Sequence, residues 1–196
     1  MAMQKRLWER GWTKGEAMQA TVVKRKSAGA PQLYTFQVFL TDGPITKAFA
    51  GKEISRTIQM RGDQTLKDLH KAIFKAFDRE EQHLHEFNFS KGPPACRAER
   101  SAGRYDREGP RYTLRSNMKD FMTDDVTAGD VAKTTPESLN LEVGRAFGYW
   151  FDFGDDWRHE IRVEAIEPVP PTGRFPKVTA RIGESPPQYA DPNELE

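Results

Sequence analysis

The apolar side chains of this chain are concentrated in two separate stretches of its sequence. Residues 32–90 and 139–166 contain 26 of its 38 Leu, Ile, Val and Phe residues, although they make up less than half of its 196 positions. Burial of apolar surface drives folding, so both stretches must contribute to the interior. The sequence therefore predicts one core built from two stretches, with a polar segment between them on the surface.

Charge and composition exclude several classes of protein. The chain carries 30 basic and 29 acidic side chains, so it lacks the large net charge that is typical of disordered proteins. No apolar run approaches the roughly 20 residues of a membrane span, and the N-terminus has no apolar segment of a secretory signal. Cys96 is the only cysteine, which excludes an intramolecular disulfide. We expect a cytoplasmic protein that does not enter a membrane.

The first apolar stretch has the pattern of a small α+β unit. Strand-forming residues, largely alternating with polar ones, predict strands over 33–40 and 54–60, and a third strand over 83–89. Between the second and third strands, Thr65 and Asp68 are placed to cap a helix. That helix has one apolar face, formed by Leu66, Leu69, Ile73, Phe74 and Phe77. The order strand, strand, helix, strand resembles half of a β-grasp fold.

The remaining segments are polar and are assigned to extensions and connections. Residues 1–31 carry seven basic and two acidic side chains and are predicted to be a partly disordered extension. They precede a single domain over 32–192. Within it, 90–118 is predicted to be an arginine-rich loop and 119–143 to form short helices. One of these helices begins at Thr135-Pro136, a cap residue followed by a proline at the first helical position.

The second apolar stretch contains an aromatic segment that predicts a β-hairpin. Two strand-forming runs flank Gly154-Asp155, a pair typical of two-residue turns. With such a turn, His159 lies opposite Trp150 and Trp157 lies opposite Asp152, and cross-strand partners share a face. The predicted shared face consists of Trp150, Asp152, Trp157, His159, Ile161 and Val163. The opposite face then carries Tyr149, Phe151, Phe153, Asp156 and Arg158.

Four segments in this order resemble the plasmid pRiA ORF-three-like family, which also occurs as a passenger protein of bacterial mobile elements. They read LKDLHKAIFKAF, HLHEF, FGYWFDFGDDWRHEIRV and RFPKVTARIGESPPQYADP. The resemblance covers about residues 33–192. It implies an α+β domain with a mixed sheet and transfers no catalytic residue. The positions that match its motifs are Arg56, His70, His83, His85, Asp152, Gly154, Asp155, Trp157 and His159.

The favoured hypothesis is a binding or adaptor module that takes a protein partner and needs no cofactor. Trp150, Trp157 and Arg158 are the candidate contacts, because tryptophan and arginine contribute disproportionately to binding energy. The sequence leaves the oligomeric state open. The candidate binding cluster comprises Arg56, Trp150, Asp152, Asp155, Asp156, Trp157, Arg158 and His159.

Two alternatives are retained. One is a metal-dependent hydrolase in which a single divalent ion is held by His83, His85, Asp152 and His159, which requires the third strand to lie beside the hairpin. The other is nucleic-acid binding through the arginines and tyrosines of residues 1–31 and 91–115. The same aspartates and histidines also have a structural interpretation, in which Asp152 accepts hydrogen bonds from turn amides or from His159.

Overall fold

The elements of the fold come from a computed structural model, which describes residues 30–89, 109–114, 127–191 and 193. In these residues the chain forms one α-helix and eight β-strands, in keeping with the predicted α+β class. In chain order they are β1 (Gln32–Asp42), β2 (Ser55–Arg61), α1 (Leu66–Ala76), β3 (His85–Asn88), β4 (Arg111–Thr113), β5 (Thr127–Asp130), β6 (Ala146–Phe151), β7 (Trp157–Pro168) and β8 (Lys177–Ile182).

All eight strands belong to one sheet with the order β5-β4-β3-β6-β7-β1-β2-β8. The sheet is mixed, because β4 and β5 are parallel while the other neighbours are antiparallel. β1 from the first apolar stretch pairs along most of its length with β7 from the second. The prediction of one core from two stretches is therefore confirmed. The β6–β7 hairpin lies between β3 and β1, so the β-grasp-like unit is not confirmed.

The helix forms where its cap and its apolar face predict it. Thr65 Oγ1 accepts a hydrogen bond from the Asp68 amide, and Asp68 Oδ2 accepts one from the Thr65 amide, which completes a capping box. Leu66, Leu69 and Ile73 on the apolar face are buried. None of the helical structure in the described residues has the length and hydrophobicity of a membrane span.

Two connections differ from the prediction. β4 lies within the predicted arginine-rich loop, and β5 and a series of turns replace the predicted short helices of 119–143 where the structure describes them. The carbonyl groups of Val131 and Thr134 accept hydrogen bonds from the first amides of α1, so tertiary contacts shape this segment. The predicted basic extension and most of the arginine-rich loop lie outside the described residues.

The predicted register of the hairpin is wrong by one residue. Tyr149 pairs with His159 and Phe151 with Trp157, so five residues connect the strands instead of two. Because side chains alternate along a strand, this shift moves each side chain of one strand to the other face relative to its predicted partners. Trp157 and His159 therefore share the buried face with Tyr149 and Phe151, and Trp150 leaves the face predicted for it.

Asp152 and Asp156 produce the longer turn. Both residues have positive φ angles, 54° and 61°, a conformation that aspartate tolerates better than most residues. The Asp156 amide donates to the Asp152 carbonyl at 2.7 Å. Asp152 Oδ1 accepts from the amides of Gly154 and Asp155, in agreement with the structural interpretation of this carboxylate. The register thus depends on two aspartates in the left-handed backbone conformation and not on the Gly154-Asp155 pair.

Gly43 provides a test of how tightly Trp157 is packed. Trp157 has no exposed surface, and a Cβ on Gly43 would meet its ring, with Cζ3 at 2.9 Å. Gly43→Ala is expected to lower the free energy of unfolding by about 2–4 kcal/mol, through overpacking and an unfavourable φ of 154°. Gly51→Ala is the control in urea denaturation, because its φ is 71° and no atom lies within 4 Å. Equal losses in the two variants would contradict tight packing at Trp157.

Candidate functional site

Most of the polar residues singled out from the sequence meet at one end of the sheet. β3 lies beside β6, with His85 opposite Phe151, and the Asp152 amide donates to the Leu84 carbonyl at 2.9 Å. The predicted neighbourhood of the third strand and the hairpin is thus confirmed. We call the group around it the polar cluster. Its members are His70, Arg79, His83, His85, Tyr149, Asp152, Trp157 and His159.

Two buried histidines stack at the centre of the polar cluster. The rings of His70 and His85 are parallel, with centroids 3.5 Å apart. His70 comes from α1, and its ring nitrogens bond to the Tyr149 hydroxyl at 2.7 Å and to Gln82 Oε1 at 3.1 Å. His85 comes from β3, and its Nε2 has no hydrogen-bond partner. The stack thus joins the helix to the sheet. Both ring nitrogens of His70 have hydrogen-bond partners, whereas Nε2 of His85 has none among the described residues.

Burial keeps this histidine pair neutral. Loss of solvent lowers the pKa of His70 to about 4 and that of His85 to about 3, and in His85 the neighbouring His70 adds to the effect. Burial also raises the pKa of Tyr149 well above its usual value, so its hydroxyl keeps its proton. At neutral pH the centre of the polar cluster therefore consists of uncharged groups.

His159 lies on the other side of Tyr149. Its ring is edge-on to Phe77 with centroids 4.8 Å apart, and 5.3 Å from the Tyr149 ring. Both ring nitrogens are buried without a hydrogen-bond partner. Burial, and next the charge of Arg79, hold the pKa of His159 well below its usual value. His159 is therefore a neutral imidazole without a well-aligned hydrogen bond among the described residues, although the Tyr149 backbone lies close enough to act on its ring.

Arg79 is the buried cation of the polar cluster. Its guanidinium carbon lies 3.6 Å from the centroid of the Trp157 ring, and the residue is only 7% exposed. Nη1 donates to the Pro186 carbonyl at 3.3 Å, whereas Nε and Nη2 have no hydrogen-bond partner within the described part of the chain. Burial lowers the pKa of Arg79 to about 10, which leaves it charged at neutral pH. Nothing in the sequence singles out Arg79, because the charged run after α1 has the composition of a solvent-exposed connection.

His83 forms the exposed side of the polar cluster. Its side chain is 36% exposed, and its Nε2 lies 2.9 Å from the Tyr189 hydroxyl and 3.4 Å from Asp152 Oδ2. The Tyr189 hydroxyl donates to Glu81 Oε2 at 2.9 Å. Asp155 follows Asp152 in the turn, and burial, with Asp152 as the second cause, raises its pKa. Carboxylates and one exposed imidazole thus form the solvent-facing edge of the polar cluster.

Residues 185–189, which we call the C-terminal strap, bind across the segment that follows α1. Ser185 Oγ donates to Asp78 Oδ2 at 2.7 Å. Gln188 Oε1 accepts from the amides of Glu80 and Glu81, at 2.7 and 3.0 Å. These hydrogen bonds and the one from Arg79 to the Pro186 carbonyl hold the strap over the polar cluster.

Arg56, a predicted member of the binding cluster, has a structural position. It is buried, and its guanidinium donates to the carbonyls of Ser55, Ala76, Ile182 and Gly183. These bonds tie the end of α1 to the end of β8. It also donates to Ser185 in the strap and lies 4.8 Å from the Phe77 ring, so it supports the polar cluster from outside.

The other predicted binding residues divide between two places. Asp152, Asp155, Trp157 and His159 lie in or beside the polar cluster. Trp150 and Arg158 lie on the other face of the hairpin, where the guanidinium stacks 3.6 Å from the indole centroid. Asp156 accepts from Arg158 Nε at 2.7 Å on that same side. The structure therefore does not bring the predicted cluster together at one point.

The four predicted metal ligands are also separated. His83 and Asp152 come together, but His85 and His159 lie 6.3 and 5.3 Å from Tyr149, measured between ring centroids, on different strands. In the part of the chain that the structure describes, no group of three or more His, Cys, Asp or Glu side chains has the arrangement of a metal site.

Acid should destabilise the protein through the stacked histidines. Below pH 6.5 the unfolded chain binds protons at both imidazoles, whereas the folded protein does so only near pH 4 and 3. Stability is therefore full above pH 6.5 and falls as the pH drops toward 4. We expect a loss on the order of 5 kcal/mol between pH 7.5 and 4.5, since each imidazole contributes about 1.4 kcal/mol per pH unit below 6.5, and urea denaturation measures it. His85→Phe should reduce this slope, and an unchanged slope would contradict the assignment.

Comparison with known proteins is in agreement with the observed fold. Residues 45–191 match the family model of plasmid pRiA4b ORF-3-like protein. The crystal structure of MM3350, a protein of unknown function from Methanosarcina mazei Go1, superposes with a TM-score of 0.56 at 24% sequence identity. The match covers 81% of this chain and 73% of that chain, and it supports the fold alone. Among curated proteins, a search gave no significant match.

Proposed function

The chain belongs to the plasmid pRiA4b ORF-3-like protein family, and we propose that it is a binding module whose ligand site is the polar cluster. One observation carries this proposal. Among the described residues, six of the seven buried side-chain nitrogens without a hydrogen-bond partner lie in the polar cluster. They are Arg79 Nε and Nη2, His85 Nε2, Trp157 Nε1, and His159 Nδ1 and Nε2.

The concentration of unsatisfied groups in the polar cluster favours a role in binding over a role in stability. A buried donor or acceptor without a partner costs about 1–3 kcal/mol, so their grouping among neighbouring side chains, and not their number, needs an explanation. Polar groups that weaken the fold are typical of functional sites. Arg79 and Trp157 can only donate, so the complementary ligand carries hydrogen-bond acceptors.

A ligand reaches the polar cluster when the C-terminal strap moves away from it. The strap's Ser185, Pro186 and Gln188 contacts to residues 78–81 are hydrogen bonds, which water can replace when the segment moves. Exposed His83 and Tyr189 lie at its edge and are joined by a single hydrogen bond. The predicted protein partner stays a prediction, and one contact residue assigned to it, Trp157, has no exposed surface.

Replacing His159 by phenylalanine separates a binding role from a structural one. His159→Phe removes two unsatisfied nitrogens from aromatic surroundings and is expected to raise the free energy of unfolding by about 1 kcal/mol. His70→Phe is the matched control, because it breaks the bonds to Tyr149 and Gln82 and should lower that free energy by about 2 kcal/mol. Urea denaturation at pH 7.5 measures both. Similar losses in the two variants would show that His159 serves the fold.

Native mass spectrometry tests whether the polar cluster is occupied. The full chain, purified at low ionic strength, is expected to carry a small molecule that is released on denaturation. The His159→Phe variant should carry less of it, because two of the groups that contact the ligand are gone. Identical occupancy in the variant would contradict the assignment of the ligand to the polar cluster.

A further inference from the structure

We infer that the Nε–Nη2 edge of Arg79 binds an oxyanion, a carboxylate or phosphate group of a small ligand. The inference rests on the proposed function and names the chemical class of its ligand. Guanidinium presents its N–H groups in a fixed planar fork that matches two oxygens of a carboxylate or phosphate. In Arg79, Nη1 is used by the Pro186 carbonyl, and the unpartnered Nε and Nη2 are the two nitrogens of one such fork.

The plane of this fork is held in place before any ligand arrives. The guanidinium carbon lies 3.6 Å from the centroid of Trp157, and this ring is packed without exposed surface. Stacking on an indole stabilises a cation and fixes its orientation. The Pro186 carbonyl, at 3.3 Å from Nη1, fixes the opposite side of the group. A preorganised fork loses little side-chain entropy when it binds.

The nearby carboxylates leave this cation without an ion pair. Asp78 bonds to Arg181 and to Ser185, at 2.9 and 2.7 Å. Asp152 accepts from the turn amides and lies 3.4 Å from His83. Neither carboxylate forms an ion pair with Arg79 within 4 Å, although the negative charge of each acts on the guanidinium from a longer distance. A buried cation in this state carries an uncompensated desolvation penalty, which an incoming anion relieves.

Further neighbours can complete an oxyanion site. Neutral His159 can donate one N–H, and Trp157 Nε1 is an unused donor of the same cluster. Tyr149 keeps its proton and is joined to His70, so it adds no negative charge. The charged groups around the fork are Arg56 on the positive side and Asp78 and Asp152 on the negative side. Counting Arg79, these charges sum to zero, so the unpartnered N–H donors, and not an excess of positive charge, favour an oxyanion here.

Anion titration of the full chain tests the inference. The probes are inorganic phosphate and acetate, added at constant ionic strength with chloride as the reference, and thermal unfolding and calorimetry record binding. We expect a saturable rise in Tm with at least one of the two probes. Arg79→Lys keeps the charge but loses the fork, and it should weaken binding at least tenfold. Arg61→Met is the control, because Arg61 is exposed and pairs with Asp63, and it should leave binding unchanged.

The outcomes separate the two proposals. A response to phosphate alone or to acetate alone identifies the oxyanion, and its loss in Arg79→Lys supports the assigned fork. Absence of a saturable response to both probes in the wild-type chain overturns the inference, as does a response that Arg79→Lys retains in full. The comparison of His159→Phe with His70→Phe decides the proposed binding role independently.

Discussion

The antiparallel pairing of β1 with β7 is the interaction on which the rest of the structure depends. It joins the two apolar stretches of the chain into one sheet, through strands that lie more than 100 residues apart in the sequence. Because β6 forms a hairpin with β7, it lies between β7 and β3. His85 and Asp152 become neighbours across the pairing of β3 with β6. The helix then covers the same face and delivers His70 to the stack with His85. Every element that supplies the polar cluster is positioned by this sequence of pairings.

The interior is divided between groups that hold the fold together and groups that weaken it. Arg56 is buried, yet each of its nitrogens has a hydrogen-bond partner among carbonyls and Ser185, so it adds stability where α1 meets β8. Arg79 is also buried, but its Nε and Nη2 have none. The two buried arginines thus differ in how fully their N–H groups are satisfied. The contrast is the reason to regard Arg79 and its neighbours as a site and Arg56 as its support.

Local sequence patterns predicted the parts of this fold that depend on short-range chemistry. Thr65 and Asp68 predicted the helix start, because a capping box involves residues three apart. The strand at 33–40 also followed from patterning, whereas the neighbourhood of β3 and the hairpin was an assumption of the metal-site hypothesis. The hairpin register did not, because Asp152 and Asp156 adopt positive φ angles that composition does not reveal. That error placed Trp150 and His159 together, whereas the structure puts them on opposite faces.

The sequence by itself determined the α+β class, the single core and the family, because apolar periodicity and ordered motifs are properties of the chain alone. Only the tertiary structure decided which polar residues lie together. Arg79 is unremarkable in a charged run, and it becomes a buried cation because Trp157 and Pro186 arrive from segments about 80 and 107 residues away. Burial and the lack of a hydrogen-bond partner are properties of a three-dimensional environment, so local spacing does not encode them.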